Sequence, residues 1–399
     1  MNRHDIAWAK PLAQQHRVVM RRLPHDAPEV YTVGGTMAVM PDGGWLASAC
    51  WVSSAQGGDY GSLAMNDSVR LSRSYDGGDT WQALTPLPYL VGYPVVIGGA
   101  LYLVLCGKGR RDILITRSDD SGETWRTPTL LFSGDYWNCP NGIVFHSGHL
   151  YMSFGTAGSS SGNPWNGIVA VACDVTRDPL DAASWRMTQQ LVYPLGDNPL
   201  NPGLNSATFA KDHWLEPNVV CVGGKLMVFA RARIDGYSVT NIAGICDLTD
   251  CDGTLSLAFN ALYPIPGAQQ RFNIVYDEVS GYYWNAVNLA TDPRNALGDV
   301  YRRIGMTHPG DERRILMLMY SLDALSWFSA GCVAMWETPA KAFHYAAPLI
   351  RGDDLLLFVR TSDIAPNYHD SEMMTLHAVR NFRQLAINLH PDSPKDKTT

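Results

Sequence analysis

The chain has 399 residues and a formal net charge of -7, with 17% charged and 46% hydrophobic residues, whereas a soluble globular chain usually carries about a quarter charged residues. With 36 Gly, 24 Pro, 12 Trp and 18 Tyr, this balance predicts many short strands joined by tight turns and excludes a helical bundle. The acidic net charge and the lack of a basic block exclude nucleic acid as a partner, yet local arginines in such a chain can still hold an anionic sugar.

The opening segment, MNRHDIAWAKPLAQQH, has no apolar stretch of signal-peptide length. No run reaches the roughly 18 apolar residues of a membrane span. The expectation is a chain without membrane contact, cytoplasmic as given or secreted after loss of a signal, with its oligomeric state left open. Residues 1–28 read as an N-terminal extension that closes onto the domain, 29–387 as the domain itself, and 388–399 as a polar tail.

From residue 29 onward a hairpin recurs along the chain. GTMAVMP leads into GGWLASACW (43–51), YPVVIGG into GGALYLVLC (98–106), and PNGIVFHSG into SGHLYMSFG (147–155). EPNVVCVGG leads into GGKLMVFAR (223–231), RFNIVYDEVSG into SGYYWNAVN (280–288), and HYAAPLIRG into GDDLLLFVR (352–360). Each couples two apolar runs through a turn that is in most cases Gly-rich, the signature of a β-hairpin. A third strand follows each hairpin, as in SVRLSRS, DILITRS and RRILMLMYS, and a fourth closes the unit. Six units of four antiparallel strands predict an all-β fold, a six-bladed β-propeller.

Cysteines add little chemistry. Cys50, Cys106, Cys173, Cys221 and Cys332 sit in apolar strand runs and no C-x-x-C pair occurs, so reduced buried thiols are expected, with no metal and no cofactor. Cys246 and Cys251 flank a turn and are the one pair worth testing for a disulfide.

In a propeller, the residues that meet on the axis open the first strand of a blade or follow the second. Trp137, Asn138, Trp214, Glu216, Gln269, Gln270, Arg271, His344 and Tyr345 open first strands. Arg231, Arg233, Asn288 and Arg360 end second strands. Loops add Asp59, Asp67, Asp235, Tyr237, Asn367, His369 and Asp370. Guanidiniums, carboxylates and flat aromatic faces in one place are what sugar recognition requires, so a glycan is the expected partner. His146 and His149 flank a turn at the far end and receive no role.

Two turns, Ser74-Tyr75-Asp76-Gly77-Gly78-Asp79-Thr80-Trp81 and Ser118-Asp119-Asp120-Ser121-Gly122-Glu123-Thr124-Trp125, match S-x-D-x-G-x-T-W at every defined position. A degenerate copy, Ser321-Leu322-Asp323-Ala324-Leu325-Ser326-Trp327, lacks the Gly. These turns resemble the Asp boxes of sialidase-like (BNR-repeat) propellers, where the Asp ties the turn and the Trp packs between sheets. The segment Glu216-Pro217-Asn218 through Arg231 resembles the sialidase blade carrying a Glu and a carboxylate-binding Arg. His344-Tyr345-Ala346-Ala347-Pro348 resembles the segment carrying the nucleophilic Tyr.

The resemblance implies an exo-glycoside hydrolase acting on a terminal anionic sugar. Tyr345 is the nucleophile, Glu216 its base, and Asp59 or Asp67 the acid/base. Arg231, Arg233, Arg271, Arg360, Asn367, Trp137, Trp214 and Gln270 line the sugar. One departure stands out: sialidases open blade one with an R-I-P element, whereas here Glu29-Val30-Tyr31-Thr32-Val33 opens it and Arg22-Leu23-Pro24 lies upstream. The residues also admit a lyase that eliminates across a uronic acid with His369 or Tyr345 as base, and a propeller that only binds glycan.

Overall fold

The computed structural model describes residues 10–24, 26, 30–53, 68–137, 142–156, 167–193, 213–233, 241–291, 312–338, 340–365 and 369–390, with backbone alone at 213 and 233. Among them almost everything regular is strand. An N-terminal strand β1 (Arg17–Arg21) precedes a four-stranded sheet of β2 (Val30–Val39), β3 (Trp45–Ser53), β4 (Ser68–Ser74) and β5 (Gln82–Ala83). A nine-stranded sheet follows. It comprises β6 (Val91–Ile97), β7 (Ala100–Gly107), β8 (Arg111–Ser118), β9 (Thr129–Trp137), β10 (Val144–His146), β11 (His149–Thr156), β12 (Gly167–Asp174), β13 (Trp185–Met187) and β14 (Leu191–Val192). Next come β15 (His213–Val222), β16 (Lys225–Arg233), β17 (Ile242–Cys251) and β18 (Thr254–Pro264), then β19 (Ile274–Asp277), β20 (Tyr282–Asn288), β21 (Ile315–Ser321) and β22 (Trp327–Met335). The last sheet combines β23 (Ala342–Arg351), β24 (Asp354–Ser362) and β25 (Met373–Val379) with the returning β1.

First strands pack side by side around an axis. β2 touches β6, β10 touches β15, β15 touches β19, and β19 touches β23. β23 and β24 reach back to β2, so the circuit closes into an all-β propeller. No helix of the described residues is long and apolar enough to cross a membrane. The N-terminal segment is part of this circuit: β1 pairs with β25, and Leu12 and Ala13 donate their amides to Cys332 and Val333 at 2.8 Å.

Neighbouring sheets bury apolar side chains against each other, as Val33 and Cys50 of β2 and β3 do in one cluster with Tyr93, Val104 and Ile115 of β6, β7 and β8. Wide, flat side chains fill the gaps between sheets, with Trp51, Trp214 and Trp284 fully buried. Close approach of β2 to β24 requires a missing side chain, since a Cβ on Gly35 would sit 2.3 Å from Ser48 O and 2.6 Å from Phe358 Cε1.

Both S-x-D-x-G-x-T-W turns share one bonding pattern. Asp76 accepts from the Thr80 amide at 2.9 Å and from Ser74 Oγ at 2.8 Å, and Asp120 from the Thr124 amide and Ser118 Oγ at 2.8 Å. Asp76 is held down to about 2, first by its bond with the Thr80 hydroxyl and then by the Thr80 amide. The degenerate turn follows suit. Asp323 takes the Leu325 and Ser326 amides, and Ala324 adopts φ 59° in place of the glycine. In all three the tryptophan Nε1 donates back to the turn, to Gly78, Gly122 and Ala324. Trp81 and Trp125 are half-buried rather than sealed between sheets.

Cys246 and Cys251 do not form a disulfide. Both lie on β17, where five residues of extended chain separate their Cα atoms by about 16 Å, far beyond the ~7 Å limit of a bridge.

Candidate active site

The register of the strands sets the two ends of the axis. Ser74 pairs with Trp45, so the turn holding Asp76 lies at the β2–β3 hairpin end, where Asp42 takes hydrogen bonds from Tyr75 Oη and Ser121 Oγ. First strands begin at the opposite end. There β2, β15 and β23 each break register, between Thr32 and Gly34, Leu215 and Asn218, and His344 and Ala347. At the second and third of these β-bulges the backbone turns left-handed on side chains ill suited to it: Glu216 has φ 51° and Tyr345 φ 54°. A bulky residue there costs about 1–3 kcal/mol, and bulges re-aim side chains. Here both serve to turn a side chain onto the axis.

Arg231 pairs with the first of them. Its Nη1 donates to Glu216 Oε2 at 3.0 Å and its Nε to Gln269 O at 2.7 Å. Burial works against the Arg231 charge, but Glu216 and then Tyr345 hold its pKa above the ordinary arginine value. Three more guanidiniums surround the Tyr345 ring, with Cζ of Arg313, Arg360 and Arg271 at 5.1, 5.3 and 5.7 Å from its centroid. All three are almost fully buried.

Arg231 and Arg360 stand on β16 and β24, and the backbone of Arg313, just ahead of β21, is tied down by a side chain. Asn288, at the end of β20, donates from Nδ2 to Arg313 O, Ile315 O and Phe343 O at 3.2, 2.9 and 2.7 Å. One side chain thereby ties the segment bearing Arg313 to the strand bearing Tyr345. Arg313 Nη1 lies 3.0 Å from His344 Nδ1, and His344 Nε2 lies 3.0 Å from Ser371 Oγ. Because a guanidinium only donates, Nδ1 is the acceptor and Nε2 carries the proton. Burial first, then Arg360 and Arg313, keeps the His344 pKa well below that of a free imidazole. The Nε of Arg313 has no hydrogen-bond partner among the described residues.

At the rim, His369 Nδ1 lies 2.8 Å from Asp370 Oδ1, and its backbone carbonyl accepts from Arg360 Nη2. Burial, opposed by Asp370, pushes the His369 imidazole down to about 4. Its side chain nonetheless keeps 41% of its surface open, so it is neutral at pH 7 and reachable.

The structure therefore brings Tyr345, Glu216, Arg231, Arg271, Arg360 and His369 into one neighbourhood. Gln270 is fully buried behind it, its Nε2 3.5 Å from Glu312 O. Trp137, half-buried on β9, lies under Arg110 at 4.4 Å. Trp214 is a correction. It is fully buried against Tyr193, Phe259 and Gly244, because alternation along β15 sends it between sheets rather than toward the axis. Asp59, Asp67, Asn138, Asp235, Tyr237, Asn367 and the side chain of Arg233 lie outside the described residues. Arg313 is the functional candidate that the sequence reading missed. It opens a third strand, a position not searched, although Glu312-Arg313-Arg314 directly before β21 was the available signal.

No protein-family model matches the chain, and no curated protein matches it. Solved structures do. A Dyadobacter fermentans protein described as of unknown function aligns with a TM-score of 0.57 at 11% identity, over 92% of this chain and 97% of its own. A NanB sialidase from Streptococcus pneumoniae aligns with 0.57 at 11%, over 94% and 71%. A Penicillium chrysogenum α-L-arabinanase complexed with arabinobiose gives 0.51 at 12%, over 93% and 99%. At these identities the likeness is one of fold, an all-β propeller.

Proposed function

We propose that this chain is a carbohydrate-active enzyme, a six-bladed propeller that hydrolyses a terminal, carboxylate-bearing sugar from a glycan. The observation that carries the reading is the buried Arg231–Glu216 ion pair together with the Tyr345 ring, around which three further guanidiniums gather. An aromatic placed there for packing alone would sit among apolar neighbours and would not need a strained backbone.

In this reading Arg271, Arg313 and Arg360 hold the sugar carboxylate by charge-assisted hydrogen bonds. The Tyr345 Oη attacks the anomeric carbon as its proton passes to Glu216, and Arg231 steadies the negative charge on oxygen during the transfer. A blade-one carboxylate, Asp59 or Asp67, protonates the leaving oxygen and then activates water, and the covalent intermediate gives retention. The sialidase and arabinanase neighbours support a glycan-active propeller.

The test compares wild type, Tyr345→Phe and Glu216→Gln on a panel of anionic and neutral glycans. Tyr345→Phe should lower kcat about 10³-fold or more while sugar affinity stays, and Glu216→Gln about 10²–10⁴-fold. Full activity in Tyr345→Phe would overturn the hydrolase reading.

One observation favours a second reading, elimination across a uronic acid. The neutral, reachable His369 held by Asp370 is equipped to remove a C5 proton beside the same arginines. In that case His369→Ala alone abolishes turnover, absorbance near 235 nm rises from the unsaturated product, and the rate falls as pH drops toward 4.

A further inference from the structure

At the hairpin end of the axis, away from Tyr345, lies a cavity of about 820 Å³ walled by β2, β6, β10, β15, β19 and β23. That size accommodates a small molecule. Its walls are mostly aliphatic, and two chemically active side chains from different sheets meet on them. Cys221 of β15 places Sγ 3.6 Å from Nδ1 of His146, at the end of β10. Tyr283, on the same wall, donates its hydroxyl to Cys221 O at 2.7 Å and fixes the backbone beneath the thiol.

The other described cysteines are placed differently. Cys50, Cys106, Cys173 and Cys246 are buried, and burial pushes the Cys173 and Cys246 thiols up to about 12. Cys332 turns its thiol to Ala334 O, and the exposed Cys251 lies against the Asp252 carboxylate. A nucleophile with a base in hydrogen-bond reach is the arrangement that activates a thiol, and here it opens onto space of ligand size.

We propose that Cys221 and His146 form a thiol-exchange site that admits a small, flat organic disulfide to the axial cavity. His146 takes the Cys221 proton. The thiolate attacks one sulfur of the disulfide, a new S–S bond forms to Cys221 as the old one breaks, and the departing thiolate takes the proton from His146. Cys221 is oxidised and the incoming disulfide reduced, and a small thiol reverses the step. The site stands independently of the glycan reading.

The test uses 4,4′-dithiodipyridine on the folded full chain, following thiopyridone release with peptide mass mapping. The expected result is one fast equivalent, mapped to Cys221, lost in Cys221→Ser and kept in Cys251→Ser. His146→Asn should slow that phase about tenfold or more at pH 7, with circular dichroism confirming that each variant is folded. A fast phase mapped to any cysteine other than Cys221, or a Cys221 rate indifferent to His146→Asn, would overturn the proposal.

Discussion

Tyr345 and Glu216 hold backbone conformations that neither residue favours, and what compensates them is charge. The arginines have consequences that can be measured one at a time. Arg313→Ala removes a buried guanidinium whose Nε has no described partner. It should raise KM for carboxylate-bearing sugars roughly ten- to hundredfold, the worth of one charge-assisted hydrogen bond. KM for the matching neutral sugar should barely move, and equal losses on both would mean that Arg313 serves the fold. Asp323→Ala strips partners from two amides of the degenerate turn and should lower unfolding free energy by about 1–3 kcal/mol, measured in urea, without changing KM.

A third residue reports on pH. His377 is fully buried, with Nδ1 2.7 Å from Ala13 O, and burial pushes it down to about 4 against the opposing effect of that carbonyl. Between the ordinary histidine value near 6.5 and about 4, the unfolded chain binds a proton that the folded chain refuses. Stability should therefore be flat above pH 6.5 and fall as pH drops through this window, by up to about 3 kcal/mol from this group. Urea titrations from pH 7.5 to 4.5 should show that slope, reduced in His377→Gln. A wild-type profile flat over the whole range contradicts it.

Elements explain which features were legible before the structure. Each hairpin was readable because an apolar run on either side of a turn such as Gly98-Gly99 or Gly223-Gly224 has one economical solution, and those glycines do take positive φ. Strand direction placed Glu216, Arg231, Arg271 and Tyr345 among the residues at the axis mouth, and the sialidase resemblance singled them out there. What escaped depended on contacts between strands far apart in sequence. Arg313 reaches the axis because Asn288 ties its backbone to Phe343, and no local pattern encodes that bond. Trp214 looked like a sugar platform because it neighbours Glu216, but the bulge that turns Glu216 inward begins after Leu215 and leaves Trp214 in the core. Gly35 makes the close approach of sheets testable. Gly35→Ala places a methyl against Ser48 O and Phe358 and should destabilise by about 1–3 kcal/mol through overpacking, read from the urea midpoint with an unchanged slope.

At the scale of the molecule, the ring is closed by β1, a strand from one end of the chain laid against β25 near the other. The axial site is assembled across sheets: Arg231 stands on β16, Tyr345 on β23, and Arg271 just ahead of β19 between them. The ring separates the two ends of the axis, the arginine-lined one at Tyr345 and the thiol-bearing cavity at Cys221. In the proposed mechanism the Tyr345 oxygen attacks an anionic sugar in that arginine cage. An activated glycosyl fluoride that carries a carboxylate, with a second fluorine beside the anomeric carbon, forms the covalent intermediate but slows its hydrolysis. Intact-protein and peptide mass spectrometry after incubation with this reagent should find one sugar adduct, on the peptide containing Tyr345, absent from Tyr345→Phe. Turnover of the parent sugar with no adduct, or with the adduct on another residue, would contradict this mechanism.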